Sequence, residues 1–221
     1  MPDIEYFYSA HSAYAYIGAD LLSQIAREAD ARIIHRPIEL RQVIAGMGGA
    51  TNSLSPWRRA YFSGREIERW AAYRNVAMMR GIPTYHHHDI ARSNGVLIAA
   101  LEAGHDIDRL SQTMLQAHWR DDADLDDEAS LARIIIAADL DPAPLLDAAL
   151  SPAIQKIHVK NTTEAIERSV FGSPTYFVDG DMFYGQDHLE LVAQALRQPF
   201  PRQWETYTAR PAGTAGRAPM A

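Results

Sequence analysis

The chain contains no cysteine among its 221 residues. That absence removes a disulfide framework, a thiolate metal site and any dithiol redox chemistry carried by the chain itself. An excess of positive charge is missing too, since 21 Lys and Arg face 28 Asp and Glu for a formal net charge of −7. Nucleic acids and anionic membrane surfaces select basic proteins, so neither is expected as a partner. There is no uncharged apolar run long enough to span a bilayer, and the opening Met-Pro-Asp-Ile-Glu has no basic region followed by an apolar one. A cytoplasmic protein is the expectation. At 47% hydrophobic residues, the chain can bury a full core, as one large domain or one domain carrying a sizeable insertion. It contains no internal repeat.

What is present falls into a clear order. Ile4 to Tyr8 is a short apolar and aromatic run of strand type. From Ala13 the spacing becomes helical, with Tyr16, Ile17, Leu21, Leu22 and Ile25 on one face and Ser12 as the natural N-cap. Residues Ala31 to Leu40 read as a second strand, which makes a βαβ unit with parallel strands. Beyond Gln42 the chain turns to loop material as far as Pro56, followed by a charged helix over Trp57 to Tyr73. Apolar and amphipathic helices are predicted over 91–103 and 107–120. Asp126 or Asp127 is placed to cap another over 128–138, and Pro142 and Ser151-Pro152 mark further helix starts. The last long helix, 153–168, delivers the chain to Phe171-Gly172-Ser173-Pro174. Then come Thr175 to Val178, the turn Asp179-Gly180 and a second short strand, which together form a hairpin. A terminal helix runs from about His188 to Arg197, and the remaining tail is rich in Pro, Gly, Ala and Thr.

The order β, α, β, several helices, long helix, β, β, α is an α/β thioredoxin-like fold. A large all-helical insertion lies between the second strand and the helix preceding a cis-proline. Residues 1–41 and 152–198 would form the thioredoxin-like domain, 42–151 the helical insertion domain and 199–221 an extended or disordered tail. In such a fold the loop after the first strand meets the proline before the third. The residues expected to meet are Ser12 and Ser173-Pro174, so a cis Ser173-Pro174 bond is favoured over the ordinary trans proline.

The chain resembles the kappa-class glutathione transferases and their relatives, the 2-hydroxychromene-2-carboxylate isomerases, which share this architecture with bacterial periplasmic disulfide oxidoreductases. The resemblance is carried by Phe7-Tyr8 with Ser12 and Tyr16, and by Arg69-Trp70-Ala71 with the turn Gly81-Ile82-Pro83. Its most specific part is the block from Glu164 to Phe177 together with Gly185 to Leu189. Two positions depart from the pattern: Ser9 stands where relatives often have aspartate, and Ala13 where they often have proline.

The resemblance implies glutathione as cofactor, with Ser12 facing its sulfur; a hydroxyl donor and a helix N-terminus both favour a thiolate. Ser12 read by itself is a plain N-cap, and both roles can hold. The resemblance further implies that Ser173, beside Pro174, pairs strand-like with the cysteinyl part of the tripeptide. The region of Gln186 and Asp187 would hold the γ-glutamyl end, where Asp187 can take the ammonium or act as another N-cap. Arg58 or Arg59 resembles the basic residue that reaches glutathione in relatives, or is a solvated surface arginine. The implied reaction is reversible thiolate addition to a conjugated double bond of an aromatic keto acid, giving cis/trans isomerisation. Candidate substrate contacts are Tyr61, Tyr85, Arg92 and Asn94. His11 reads as an exposed loop histidine or as a base or substrate contact. The run His86-His87-His88 is poorly arranged for a metal, since three adjacent histidines do not converge easily on one ion. Conjugation of glutathione to electrophiles, and a thioredoxin-fold binding protein without chemistry, are the alternatives. A homodimer is plausible from the family.

Overall fold

The computed structural model describes residues 1–46 and 55–201, apart from the side chains of Arg59 and Phe62. A four-stranded sheet in the order β2-β1-β3-β4 is its centre. Strand β1 (Asp3–Tyr8) runs parallel to β2 (Arg32–Pro37) and antiparallel to β3 (Thr175–Val178), which forms a hairpin with β4 (Asp181–Tyr184). Successive strand residues face opposite sides, and the two cores divide accordingly. Ile4, Tyr6 and Tyr8 enter the larger core with helix α1 (Ala13–Glu28). Phe7 joins Ile38, Val43, Ala165, Val170 and Phe177 in a smaller one on the other face. On the large-core side the Tyr6 and Tyr8 rings stack at 4.1 Å, and Tyr176 stacks on Tyr6 at 5.3 Å.

Between β2 and the last long helix lie seven α-helices of the described residues. They are α2 (Leu40–Gly46), α3 (Pro56–Ala60), α4 (Glu66–Arg74), α5 (Ala91–Glu102), α6 (Asp108–Trp119), α7 (Glu128–Ala137) and α8 (Pro142–Ala149). Helix α9 (Pro152–Glu167) then leads to β3, and α10 (Leu189–Arg197) closes the fold. Prolines at the starts of α8 and α9, and Asp127 capping α7 through Ser130 N–H, follow the punctuation in the sequence.

Two local predictions are corrected. The second strand stops at Pro37, which has no N–H to continue a ladder, and the expected loop begins as helix α2, which buries Val43 in the smaller core. The helix predicted over 57–73 is interrupted by a π-turn at Tyr61–Arg65, where Glu66 N–H reaches back to Tyr61 C=O. The remainder of the expected loop, 47–54, and the tail beyond residue 201 lie outside the described residues.

Asn94 is also corrected. It is fully buried rather than open to a substrate. Its Oδ1 accepts from Ala10 N–H at 3.1 Å, and its Nδ2 donates to Ile38 C=O and to His158 Nε2, both at 3.0 Å. One amide therefore clasps the loop after β1, the end of β2 and helix α9. A buried group left without its partners costs its desolvation. Asn94→Ala is expected to lower unfolding free energy by about 3 kcal/mol in urea titration; a loss under about 1 kcal/mol would contradict the clasp.

Candidate functional site

Ser12 caps α1, its Oγ accepting from Ala15 N–H at 3.2 Å. The same hydroxyl donates to Ser173 C=O at 3.0 Å, and Ser9 N–H donates to Ser173 Oγ at 3.0 Å. The Ser173-Pro174 peptide is cis, and Pro174 C=O accepts from Gly185 N–H at 2.9 Å. Among the described residues the Ser173 amide has no backbone acceptor. So the loops that open α1 and β3 meet, as the sequence predicts, through side-chain hydroxyls.

Above this junction opens a cleft of about 960 Å³. Ser12, Ser173, His11 and Tyr14 form its floor side, and Ile82, His86, Trp119, Phe171 and Tyr184 stand around them. Ser63 and Gly64 of the π-turn also face it. Trp119 is fixed from behind, its Nε1 donating to His11 C=O at 2.8 Å. The wall is therefore largely apolar and aromatic, with hydroxyls and imidazoles at the sheet end.

His11 is buried, not exposed: loop residues 9–12 fold inward. Its Nδ1 lies 3.2 Å from Ser9 Oγ, and its ring stands edge-on to His86 at 4.8 Å. His86 Nδ1 lies 3.0 Å from Nε2 of the fully buried His118, whose Nδ1 lies 2.9 Å from Ala123 C=O. Burial, reinforced by the neighbouring imidazoles and Arg41, lowers His11 to about 3, and burial with His118 and Arg41 lowers His86 to about 4. The three consecutive histidines diverge: His88 turns to Asp124 at 3.0 Å, and His87 is exposed.

The other expected site residues are scattered. Asp187 is exposed in the 3₁₀ turn Gln186–His188; its carboxylate adds to the burial that raises the phenols of Tyr14, to about 12, and Tyr184. It thus borders the cleft through two lining tyrosines, and its side chain does not cap the turn. Gln186 is buried under α1, with Oε1 and C=O accepting from Arg74 at 3.0 and 3.1 Å; it braces α4 instead of lining the cleft. Tyr61 stacks on Trp57 and accepts from Arg69, outside the lining residues. Tyr85 faces a separate cleft beside Asp121, Asp122 and Asp124. Arg92 is engaged by Glu128 and Asp126. The side chain of Arg59 lies outside the described residues, and exposed Arg58 is not a lining residue. The sequence missed His118 and Trp119 as site residues and read His86 only within the run His86-His87-His88, because the loop holding His86 and the end of α6 holding His118-Trp119 are about thirty residues apart and meet only in the fold. Tyr14 and Ile82 were missed as well, although their places next to the Ser12 loop and Pro83 were a local signal.

The fold and the Ser12–Ser173 junction define a thioredoxin-fold protein with a helical insertion and no thiol at the start of its first helix. The chain belongs to the DSBA-like thioredoxin domain family, whose model matches residues 3–197. It is 27% identical over 197 residues to a 2-hydroxychromene-2-carboxylate isomerase of Sphingobium xenophagum, covering 87% of this chain and 97% of the relative. A solved 2-hydroxychromene-2-carboxylate isomerase superposes with a TM-score of 0.76 at 23% identity, covering 88% of this chain and 94% of the other. The cytosolic disulfide reductase DsbM from Pseudomonas aeruginosa, solved with GSH, superposes with a TM-score of 0.59 at 16% identity, covering 89% and 93%.

The two lowered imidazoles make a prediction about stability. Both folded values lie below the ordinary 6.5, so between them and 6.5 the unfolded chain binds more protons. Their stabilising contribution is complete above about pH 6.5 and is lost as pH falls toward 4 and then 3. Urea midpoints measured from pH 7 to 4.5 should fall, and His86→Gln should flatten part of that fall. An identical slope in the variant would show that His86 is not held neutral.

Proposed function

We propose that this chain is a glutathione-dependent isomerase acting on an aromatic, unsaturated keto acid. The observation that carries the reading is the Ser12 hydroxyl, held at the N-terminus of α1 and directed at Ser173 C=O beside cis-Pro174. The isomerase relatives support the class of reaction, and the GSH-bound relative supports the cofactor as one that a protein of this fold accommodates. Glutathione, when bound, supplies a thiol able to add reversibly to a conjugated double bond.

The residues present suit that tripeptide. Ser173 offers a backbone amide without a backbone acceptor among the described residues, suited to strand-like pairing. Ser12 offers a hydroxyl proton and the positive end of a 16-residue helix, both of which favour a thiolate over a thiol. To serve a sulfur, its proton turns away from Ser173 C=O while its oxygen keeps capping Ala15. Asp187, whose charge acts on the lining residues Tyr14 and Tyr184, would meet the ammonium. Trp119 and its apolar neighbours exclude water around an aromatic substrate. For the substrate carboxylate, Arg41 is the candidate: it is exposed and does not itself line the cleft, but it lies on α2 between Leu40 and Ile44, which do, and its positive charge disfavours protonation of His11 and His86.

At a hundredfold excess over Kd, glutathione should raise Tm by about 5 °C or more; no shift would remove the cofactor from the reading. Ser12→Gly keeps helix capping nearly intact and deletes the hydroxyl, so turnover should fall roughly a hundredfold, while the loss of the donor to Ser173 C=O lowers Tm by about 3 °C or more. Accumulation of a thioether product would make the chain a transferase, and full cellular function of Ser12→Gly a binding protein. Arg41→Gln should raise KM for a keto acid about tenfold while kcat stays within about twofold. An unchanged KM would exclude it as the carboxylate partner.

A further inference from the structure

The histidine relay at the cleft wall is not used by the thiol chemistry. Ala123 C=O can only accept, so His118 carries its proton on Nδ1. His118 is fully buried, and as a neutral ring its Nε2 is an acceptor. The partner 3.0 Å away, His86 Nδ1, must then be the donor. A neutral His86 protonated on Nδ1 has a bare lone pair on Nε2. That nitrogen lies across the ring from His118, on a residue lining the cleft, and has no hydrogen-bond partner among the described residues. Burial and the facing groups His11, His118, His87 and Arg41 keep the ring neutral. Ketone and carboxylate oxygens of a ligand would be repelled there, so the matching group must donate. The Trp119 ring, 5.1 Å from His86, provides an aromatic surface beside it.

We propose that His86 Nε2 is the acceptor for a phenolic hydroxyl of the aromatic ligand, with His118 and Ala123 C=O as the positioning relay that fixes its tautomer. This rests on the cleft as the ligand site, and it names a substrate feature: an aromatic ring bearing a free hydroxyl. The hydrogen bond selects against an ether of the same shape, which leaves the nitrogen unpaired.

The probes are 1-naphthol and 1-methoxynaphthalene, titrated without glutathione into the full chain labelled with ¹⁵N in its histidines. Wild-type protein should bind the naphthol about tenfold more tightly than the ether. The His86 signals should report one protonated nitrogen, Nδ1, with the Nε2 resonance moving on addition of the naphthol and not of the ether. His118→Phe, which removes the acceptor for Nδ1–H, should mix the two tautomers and reduce the preference to about twofold or less. Equal affinity of the wild type for both probes, or a His86 protonated on Nε2, would overturn the assignment. A separate glutathione titration of the same sample keeps the outcomes distinct: a missing glutathione shift counts against the cofactor alone, and lost discrimination counts against His86 alone.

Discussion

The structure depends on one hydroxyl. Ser12 Oγ accepts from Ala15 N–H and donates to Ser173 C=O, joining the start of the first helix to the turn before the third strand. The two residues are 161 positions apart. Ser9 N–H on Ser173 Oγ repeats the connection from the other direction. Together they bring to one place a helix N-terminus and the Ser173 amide, which has no backbone acceptor among the described residues, an arrangement suited to an anionic or strand-like group.

The helical insertion makes that place a cleft. Trp119 holds His11 C=O, Asn94 holds Ala10 and Ile38, and Arg74 holds Gln186 across to the last helix. Each contact is a polar group of the insertion satisfying backbone or side-chain atoms of the sheet-bearing part. The insertion is therefore tied to the strand ends by buried hydrogen bonds as well as by the shared apolar core, and its side chains supply the cleft walls. Burial also keeps the imidazoles at the sheet end neutral, so the fields acting on the cleft come from the positive end of α1 and Arg41 and, at Tyr14 and Tyr184, from the carboxylates of Glu66 and Asp187.

Legibility followed range along the chain. Strand β1, helix α1 with its Ser12 cap, the Asp127 cap and the β3–β4 hairpin arise from neighbours a few residues apart, and all were read from the sequence. Helix α2 was missed because its short apolar pattern merged with the preceding strand. Its stability comes from Val43 in the smaller core, a tertiary contribution. Three of the substrate candidates lie off the cleft for a related reason. Asn94, Arg92 and Tyr61 look available as residue types, but Ala10, Glu128 and Arg69 engage them from elsewhere in the chain.

The sequence by itself determined the order of elements, the thioredoxin-like architecture and the pairing of Ser12 with Ser173-Pro174, because periodicity, caps and the proline are local signals read against a fold with fixed crossing points. It also excluded dithiol chemistry, since the chain has no sulfur nucleophile of its own. Only the tertiary structure decided that Gln186 is a brace, that His11 is buried, and that His86 Nδ1 meets His118 Nε2 while His118 Nδ1 faces Ala123 C=O. Those properties are set by burial and by partners from distant segments, and neither quantity exists until the chain has folded.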